Sequence, residues 1–471
     1  MMVLLKKSIV FMLAALLLGC AGFQSKPIAP WDTATAFEAR TLDSFGLRDF
    51  VRQNGKDVTT WPLTSWDASL LTLAAFYYHP DLDVARAQWG VAQAGVVSAG
   101  SIPNPGLSLS TNPASTISRA SALPFGWNLD IPIETAGKRG YRIEQSKQLS
   151  ESARFHLYGA AWQIRSRLKM ALVELYSAQE GLMLLQEQED VRNEMAKLLN
   201  RRLEIGEISL PEATQARIAL AQNSLAILDV QKRYDTALAQ LATAIGLPIN
   251  SLREMKFSFD ELTELPKPET LPSEETRRQA LLSRSDLLSA LADYEASQAA
   301  LQLEVAKQYP DIHLGPGYVW DQGERKWSVG LSFSLPIFNR NAGPIAEANA
   351  RREQAAASFV ALQARSINEV DLAWTNYQSA ANQLANADSL LKAQQQQQRS
   401  ITAEFKVGES DRLTLAGSQL ELVNAKLARL DALVKEMLSL GLLEDATQHP
   451  LTQKELPPNL VETNPRKEEK H

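Results

Sequence analysis

The fold class the sequence predicts is an α+β membrane protein. Four strands per chain build a 12-stranded barrel in a trimer, and long coiled-coil helices continue it. Three observations carry the prediction. An internal two-fold repeat covers most of the 471 residues. Short segments in each copy alternate large apolar residues with Ser and Gly. Between them run Pro-free helical stretches too long for a compact domain.

The N-terminus carries Lys6 and Lys7, an apolar run from Ile9 to Leu18, then Gly19 and Cys20. The run is too short to span a bilayer and reads as an export signal over residues 1–19. Cys20 is the single cysteine, so no disulfide framework exists. Leu17-Leu18-Gly19-Cys20 resembles a bacterial lipobox, which implies that Cys20 is acylated, with Ala21 after it pointing to the outer membrane. An incidental cysteine in an ordinary signal peptide is the alternative. No cofactor is expected beyond that covalent lipid. Removal of the signal takes the net charge from −6 to −8, which argues against nucleic acid as a partner.

A lipidated extension is expected over residues 20–64. The first copy then spans 65–255 and the second 277–448, with the Pro-rich linker 256–276 between them and a disordered tail over 449–471. The copies are in register at an offset near 204. Asp81 to Pro105 matches Asp286 to Pro310, Pro132-Ile133 matches Pro336-Ile337, and the tip containing Gly206 matches the one containing Gly408.

Within each copy the order is helix, strand, strand, very long helix, tight turn, helix. Ala161, Ile164, Leu168, Ala171, Leu175 and Ala178 fall at steps of three and four, as do Ile367, Val370, Trp374, Tyr377 and Ala381. This is a coiled-coil seam. Gly206 suits the left-handed residue that ends a helix. Ser209-Leu210-Pro211-Glu212 has the form of a capping box opening the next one. Gly408, with Ser410 or Asp411 as cap, repeats the arrangement.

Strands are predicted at about 105–111, 125–133, 311–320 and 326–335. In the last, Trp327, Val329, Leu331 and Phe333 oppose Ser328, Gly330 and Ser332. In the second, Trp127 and Leu129 oppose Asn128 and Asp130. Lipid on one face and a lumen on the other explain this alternation; a strand covering a soluble core explains one strand equally well. Gly315-Pro316-Gly317 suggests a bulge or bend. Four strands cannot close a barrel, and open edges in lipid are costly, so identical copies must complete it. Three protomers supply twelve staves.

These residues resemble the TolC-type outer membrane efflux protein family, over about Ser65 to Leu451. The resemblance rests on the duplicated unit, the two glycine tips and "LPIFNRNAGPIAEA" at Leu335 to Ala348. The segment Pro132 to Gly140 is similar to the corresponding turn of the heavy-metal efflux branch. The resemblance implies a homotrimeric, lipid-anchored exit duct in the cell outer membrane that extends into the periplasm. Its implied partners are outer-membrane lipid, a periplasmic adaptor (membrane fusion) protein and an inner-membrane pump of the RND type. It further implies that the tips, with Gly206, Ser209, Gly408, Ser410 and Asp411, meet the adaptor and close the tube. Family members carry acids six and nine positions after the second tip glycine, where this chain has Thr414 and Gly417. Candidates for the pore constriction are therefore Glu212, Glu409, Asp411 and Thr414, with helix capping as the alternative role of Glu212 and Asp411.

His79, His156, His313, His449 and His471 are scattered, and no metal-ligand spacing occurs. No catalytic constellation is present, so an enzyme is not expected. Lys138, Arg139 and Arg142 follow the second strand and read either as a contact to anionic headgroups or a neighbouring protomer, or as a solvated turn. Two further readings stay open: a periplasmic coiled-coil lipoprotein scaffold without a channel, and a TolC-like duct for type I protein secretion.

Overall fold

A computed structural model describes residues 22–55, 60–111, 125–271, 274, 278, 282–321 and 324–451. The expected signal segment, Cys20 and the expected tail after residue 451 lie outside them, while the first residues of that tail are bound to the body, the Leu451 N–H donating to Glu444 at 3.0 Å. Residues 22–41 form a small unit of their own holding α1 (Pro30–Glu38), none of whose residues is buried. The second unit begins at Leu42 and contains the remaining elements.

Two short helices enter first. Ser44 caps α2 (Phe45–Gln53), its hydroxyl accepting from the Leu47 N–H at 3.2 Å. Asp67 caps α3 (Ala68–Tyr78), accepting from Leu70 at 2.7 Å. Nine of the eleven α3 residues are buried, as befits a helix apolar on all sides. His79 then caps α4 (Pro80–Ala99), with Pro80 in the first turn.

After β1 (Gly106–Thr111) and β2 (Phe125–Ile133) the chain enters α5 (Lys138–Glu204), turns, and returns as α6 (Leu210–Ile245). The second copy repeats the order with α7 (Ser285–Ala306), β3 (Ile312–Asp321), β4 (Glu324–Phe333), α8 (Ala342–Lys406) and α9 (Arg412–Thr447). Helix α5 has 67 residues and α8 has 65, so at 1.5 Å per residue each runs about 100 Å. The seam residues Ala161, Ile164, Leu168, Ala171, Leu175 and Ala178 are buried, as are Val370 and Tyr377 in α8.

The main core lies at mid-length, where α3, α5, α6 and α9 meet around Leu71, Leu168, Leu172, Leu241 and Met437. Two segments expected to be peripheral join it. Leu42, Leu47 and Val51, from the presumed extension, are fully buried. The presumed linker is bound to the body rather than free. Trp66 donates its N–H to the Lys256 carbonyl and accepts from the Ser258 N–H, both at 2.9 Å, and Glu261 accepts from the Ser69 N–H at 3.1 Å. Leu262 is buried, and the Tyr377 hydroxyl donates to the Pro266 carbonyl. The apolar residues Phe257, Phe259, Leu262 and Leu265 outweigh the acidic, Pro-rich composition that suggested a separator.

The four strands form one antiparallel sheet in the order β1-β2-β3-β4. No bulge interrupts β3. Trp127 pairs with Tyr318 and Ile131 with Leu314, and the register is the same on both sides of Gly315-Pro316. The ladder to β2 lapses opposite those two residues and resumes unchanged. Pro316 costs one donor but inserts no residue, which is why the expected bulge is absent.

Candidate functional site

The sheet exposes its apolar face. Trp327, Val329, Leu331 and Phe333 of β4 are exposed, as are Leu107 and Leu109 of β1, and no core covers them. Trp127 and Leu129 of β2 are half-buried by their neighbours on the same face. Register brings three rings together near one end: Tyr318 lies 4.8 Å from Trp327 and 6.5 Å from Trp127 between ring centroids. An aromatic cluster ending an uncovered apolar face suits the boundary between hydrocarbon and water. The opposite face carries Ser108, Asn128, Asp130, His313, Ser328 and Ser332, with glycines between them. The outer margins of β1 and β4 have no partner strand among the described residues.

Where strands become helices, the basic residues are absorbed by the chain itself. Lys138 is buried, its ammonium 2.7 Å from Asp311 Oδ1 and 2.6 Å from the Tyr309 carbonyl. Arg139 donates to the Gly100 carbonyl at 2.7 Å. Arg142 donates to Ala99 at 2.9 Å and to Glu134 at 2.7 Å. Arg139 and Arg142 satisfy carbonyls at the end of α4, so the turn is braced internally rather than freely solvated. Burial alone would raise the Asp311 carboxyl, but bonds from Lys138 and the Thr135 N–H hold it below the usual carboxylate range. The second copy solves the same corner with Asn341, in the left-handed conformation at φ 60°, whose amide donates to the Glu304 carbonyl at 2.7 Å.

At the far ends of the long helices Gly206 and Gly408 have φ of 77° and 81°. The following N–H groups, of Glu207 and Glu409, donate to the carbonyls of Arg202 and Glu404 at 2.8 and 2.9 Å. That is the helix-ending motif for which glycine is suited. The two tips then diverge. Ser209 occupies the cap position of α6 but its side chain makes no cap bond, so the capping box expected with Glu212 does not form, and Glu212 is exposed. Asp411 does cap α9, accepting from the Thr414 N–H at 2.7 Å, and it also binds Arg202 of the first tip at 2.6 Å. The Thr414 hydroxyl and N–H, followed by Arg202, pull the Asp411 carboxyl down to about 2. Beside it Arg412 bonds Glu194 at 2.6 Å. Glu409 is exposed, and the Ser410 Oγ is buried without a hydrogen-bond partner among the described residues.

Sequence reasoning missed two features. One is this cross-tip pair, Arg202–Asp411. The other is a buried cluster where α5 meets α9: Glu444, 1% exposed, accepts from Lys169 at 2.8 Å and from Arg165 at 3.2 Å, while Asp445 accepts from Ser166 at 2.6 Å and Trp162 at 2.9 Å. Burial pushes the Asp445 carboxyl up and the Lys169 ammonium down. A basic pair four residues apart beside an apolar seam was the available signal. Among the described residues no group of three or more His, Cys, Asp or Glu side chains is placed to hold a metal, and no helix is long and apolar enough to cross a membrane.

An outer membrane efflux protein model matches residues 75–247 and 276–435, the two copies in turn. The chain belongs to the outer membrane efflux protein family. It is an outer-membrane efflux channel. A cobalt-zinc-cadmium resistance protein, CzcC of Cupriavidus metallidurans, is 28% identical over 364 residues, 75% of this chain and 83% of that protein. Among solved structures, the outer membrane protein VceC of Vibrio cholerae superposes with a TM-score of 0.66 at 19% identity, covering 81% of this chain and 96% of VceC. A structure of CusC gives 0.64 at 19%, covering 91% and 99%. CzcC is described as a resistance protein, VceC as an outer membrane protein, and CusC in connection with transmembrane channel formation.

Proposed function

We propose that this channel is the exit duct of a tripartite heavy-metal efflux system, receiving ions from an RND-type inner-membrane pump through a periplasmic adaptor. The observation that carries the duct is the sheet: apolar and uncovered on one face, small and polar on the other, with two open margins continued by helices about 100 Å long. The metal cargo rests on the likeness to CzcC, whose name specifies cobalt, zinc and cadmium. Transport through the duct involves no chemistry and no resident cofactor.

In this reading Cys20 carries the lipid that holds the N-terminus in the outer membrane. The turns at Gly206, Ser209, Gly408, Ser410 and Asp411 meet the adaptor. Glu212, Glu409, Asp411 and Thr414 line the constriction, where Asp411 remains ionised because of Thr414 and Arg202. Opening separates the tips and breaks Arg202–Asp411, driven by partners that bind the open form better. The test is direct. The mature protein purified in detergent should be trimeric and conduct in planar bilayers, and deletion of its gene should sensitise cells to divalent heavy metals. A detergent-independent monomer without conductance would refute the duct, whereas unchanged metal tolerance would refute the cargo.

A further inference from the structure

The two copies supply a template for the strand margins that the chain leaves open. Strands β1 and β3 are in register at a separation of 205 positions, as Pro105 is to Pro310, and β2 and β4 at 204, as Pro132 is to Pro336. These separations carry the pair Leu107–Leu129 of the first copy onto Ile312–Phe333, and Leu109–Trp127 onto Leu314–Leu331. Both are pairs found in the second copy. The equivalence is therefore one of hydrogen-bonded structure and not of sequence alone.

Inside the chain β2 continues past the start of β1 and pairs its last three residues with β3: Ile131 with Leu314, Pro132 with His313, and Ile133 with Ile312. Strand β4 ends at Phe333, and the counterparts of those three residues, Leu335, Pro336 and Ile337, lie beyond it. The counterparts of their partners are Leu109, Ser108 and Leu107 of β1, at the opposite margin of the same sheet. Leu107, Leu109, Leu335 and Ile337 are 64–66% exposed, whereas Ile131, Ile312 and Leu314 are half-buried. What the internal ladder covers is bare at both ends of the sheet.

We infer that residues 335–337 lengthen β4 by pairing with β1 of a second copy, in the register Leu335 opposite Leu109, Pro336 opposite Ser108 and Ile337 opposite Leu107. The inference rests on the duct reading, which brings identical copies together. Three antiparallel pairings in succession leave β4 running opposite to β1, so the two margins meet antiparallel. The register keeps the apolar residues of both strands on one face, and a slip of one residue would turn Leu107 and Leu109 to the polar side. It also satisfies backbone groups that an open edge leaves unpaired. The adjoining corner differs from its internal model. There Lys138 binds Asp311 at 2.7 Å, but their counterparts are Ala342 and Gly106, so the ladder between copies has no such ion pair and is set by backbone pairing and the apolar row.

The experiment is disulfide trapping in the full-length chain in isolated outer membranes, read as linked species on denaturing gels without reductant. Leu109→Cys with Leu335→Cys, and Leu107→Cys with Ile337→Cys, are the matched pairs. Leu107→Cys with Leu335→Cys, and Leu109→Cys with Ile337→Cys, are the crossed ones. Opposed positions meet disulfide geometry and diagonal ones, about 7–8 Å apart, do not, so matched pairs should link roughly ten-fold more. Within one chain the two margins are three strand spacings apart, about 14 Å, so each bond joins two copies. The four single variants are the control for Cys20. On the polar face Ser110→Cys with Ser334→Cys should link and Ser108→Cys with Ser334→Cys should not, which reads the same register without touching the apolar row. Links in the crossed pairs, or in no pair while the trimer conducts, overturn the register and leave the duct intact. A chain that stays monomeric, with neither links nor conductance, overturns both.

Discussion

Helices α5 and α8 are counterparts in the two copies and nearly equal in length, yet they have different surroundings. Helix α5 buries sixteen of its residues beneath α3, α4, α6, α7 and α9, whereas α8 buries six, against α7, α9 and the segment around Pro266. Val360 and Leu372 of α8 remain more than 60% exposed. The difference teaches that duplication fixed the local shape of the repeat but not its role. The long helix of the first copy runs through the main core, which α9 of the second copy also enters, whereas α8 leaves an apolar flank exposed.

That contrast can be broken most sharply at Glu444. Replacing it with Gln should leave Arg165 and Lys169 partly buried without a counter-charge and cost about 3–5 kcal/mol, seen as a lower midpoint of detergent-solubilised unfolding. Leu168→Ala in α5 should cost about 2–5 kcal/mol, and Val370→Ala in α8 visibly less, by the same measurement. Equal losses at the two sites would mean that both copies carry the core alike. Leu372→Asp should leave the protomer folded and weaken the trimer on native gels, while Met170→Asp, on the exposed side of α5, should do so less.

The tips give the smallest effects. Asp411→Ala removes a cap and should lower local stability by about 1 kcal/mol, read by hydrogen exchange at residues 412–415, whereas Ser209→Ala, which loses no cap bond, should change almost nothing. Because the folded carboxyl of Asp411 titrates well below its unfolded value, its contribution is complete above about pH 4. It should vanish as pH falls towards 2. Exchange at the second tip should therefore accelerate on acidification across that range, and exchange at the first tip should not follow it.

Much of this architecture was legible because it is encoded locally. Alternation in β4 needs a few consecutive residues, the seam of α5 needs steps of three and four, and a left-handed turn after a long helix needs Gly206 or Gly408. What could not be read depends on partners far away in sequence. Arg202 and Asp411 are 209 positions apart, Lys169 and Glu444 are 275, and neither residue announces the other. The segment around Phe257 misled for the same reason: its prolines and acids speak for a tether, and its aromatic residues matter once Trp66 is beside them. At the tips, a serine three residues before a glutamate fits a capping box on paper, but the Ser209 side chain makes no cap bond in the folded chain.

The sheet places β2 of the first copy beside β3 of the second, so the hydrogen-bonded seam between copies lies in the middle of each protomer's contribution, while β1 and β4 are its ends. Around a closed ring, then, six hairpins succeed one another, and every second boundary falls between separate molecules. Each such boundary sets the opening hairpin of one molecule against the closing hairpin of the next, mirroring the boundary inside a single molecule. A change at Gly106–Thr111 would therefore be felt three times over as a fault in assembly, and the same kind of change at Phe125–Ile133 as a fault in folding.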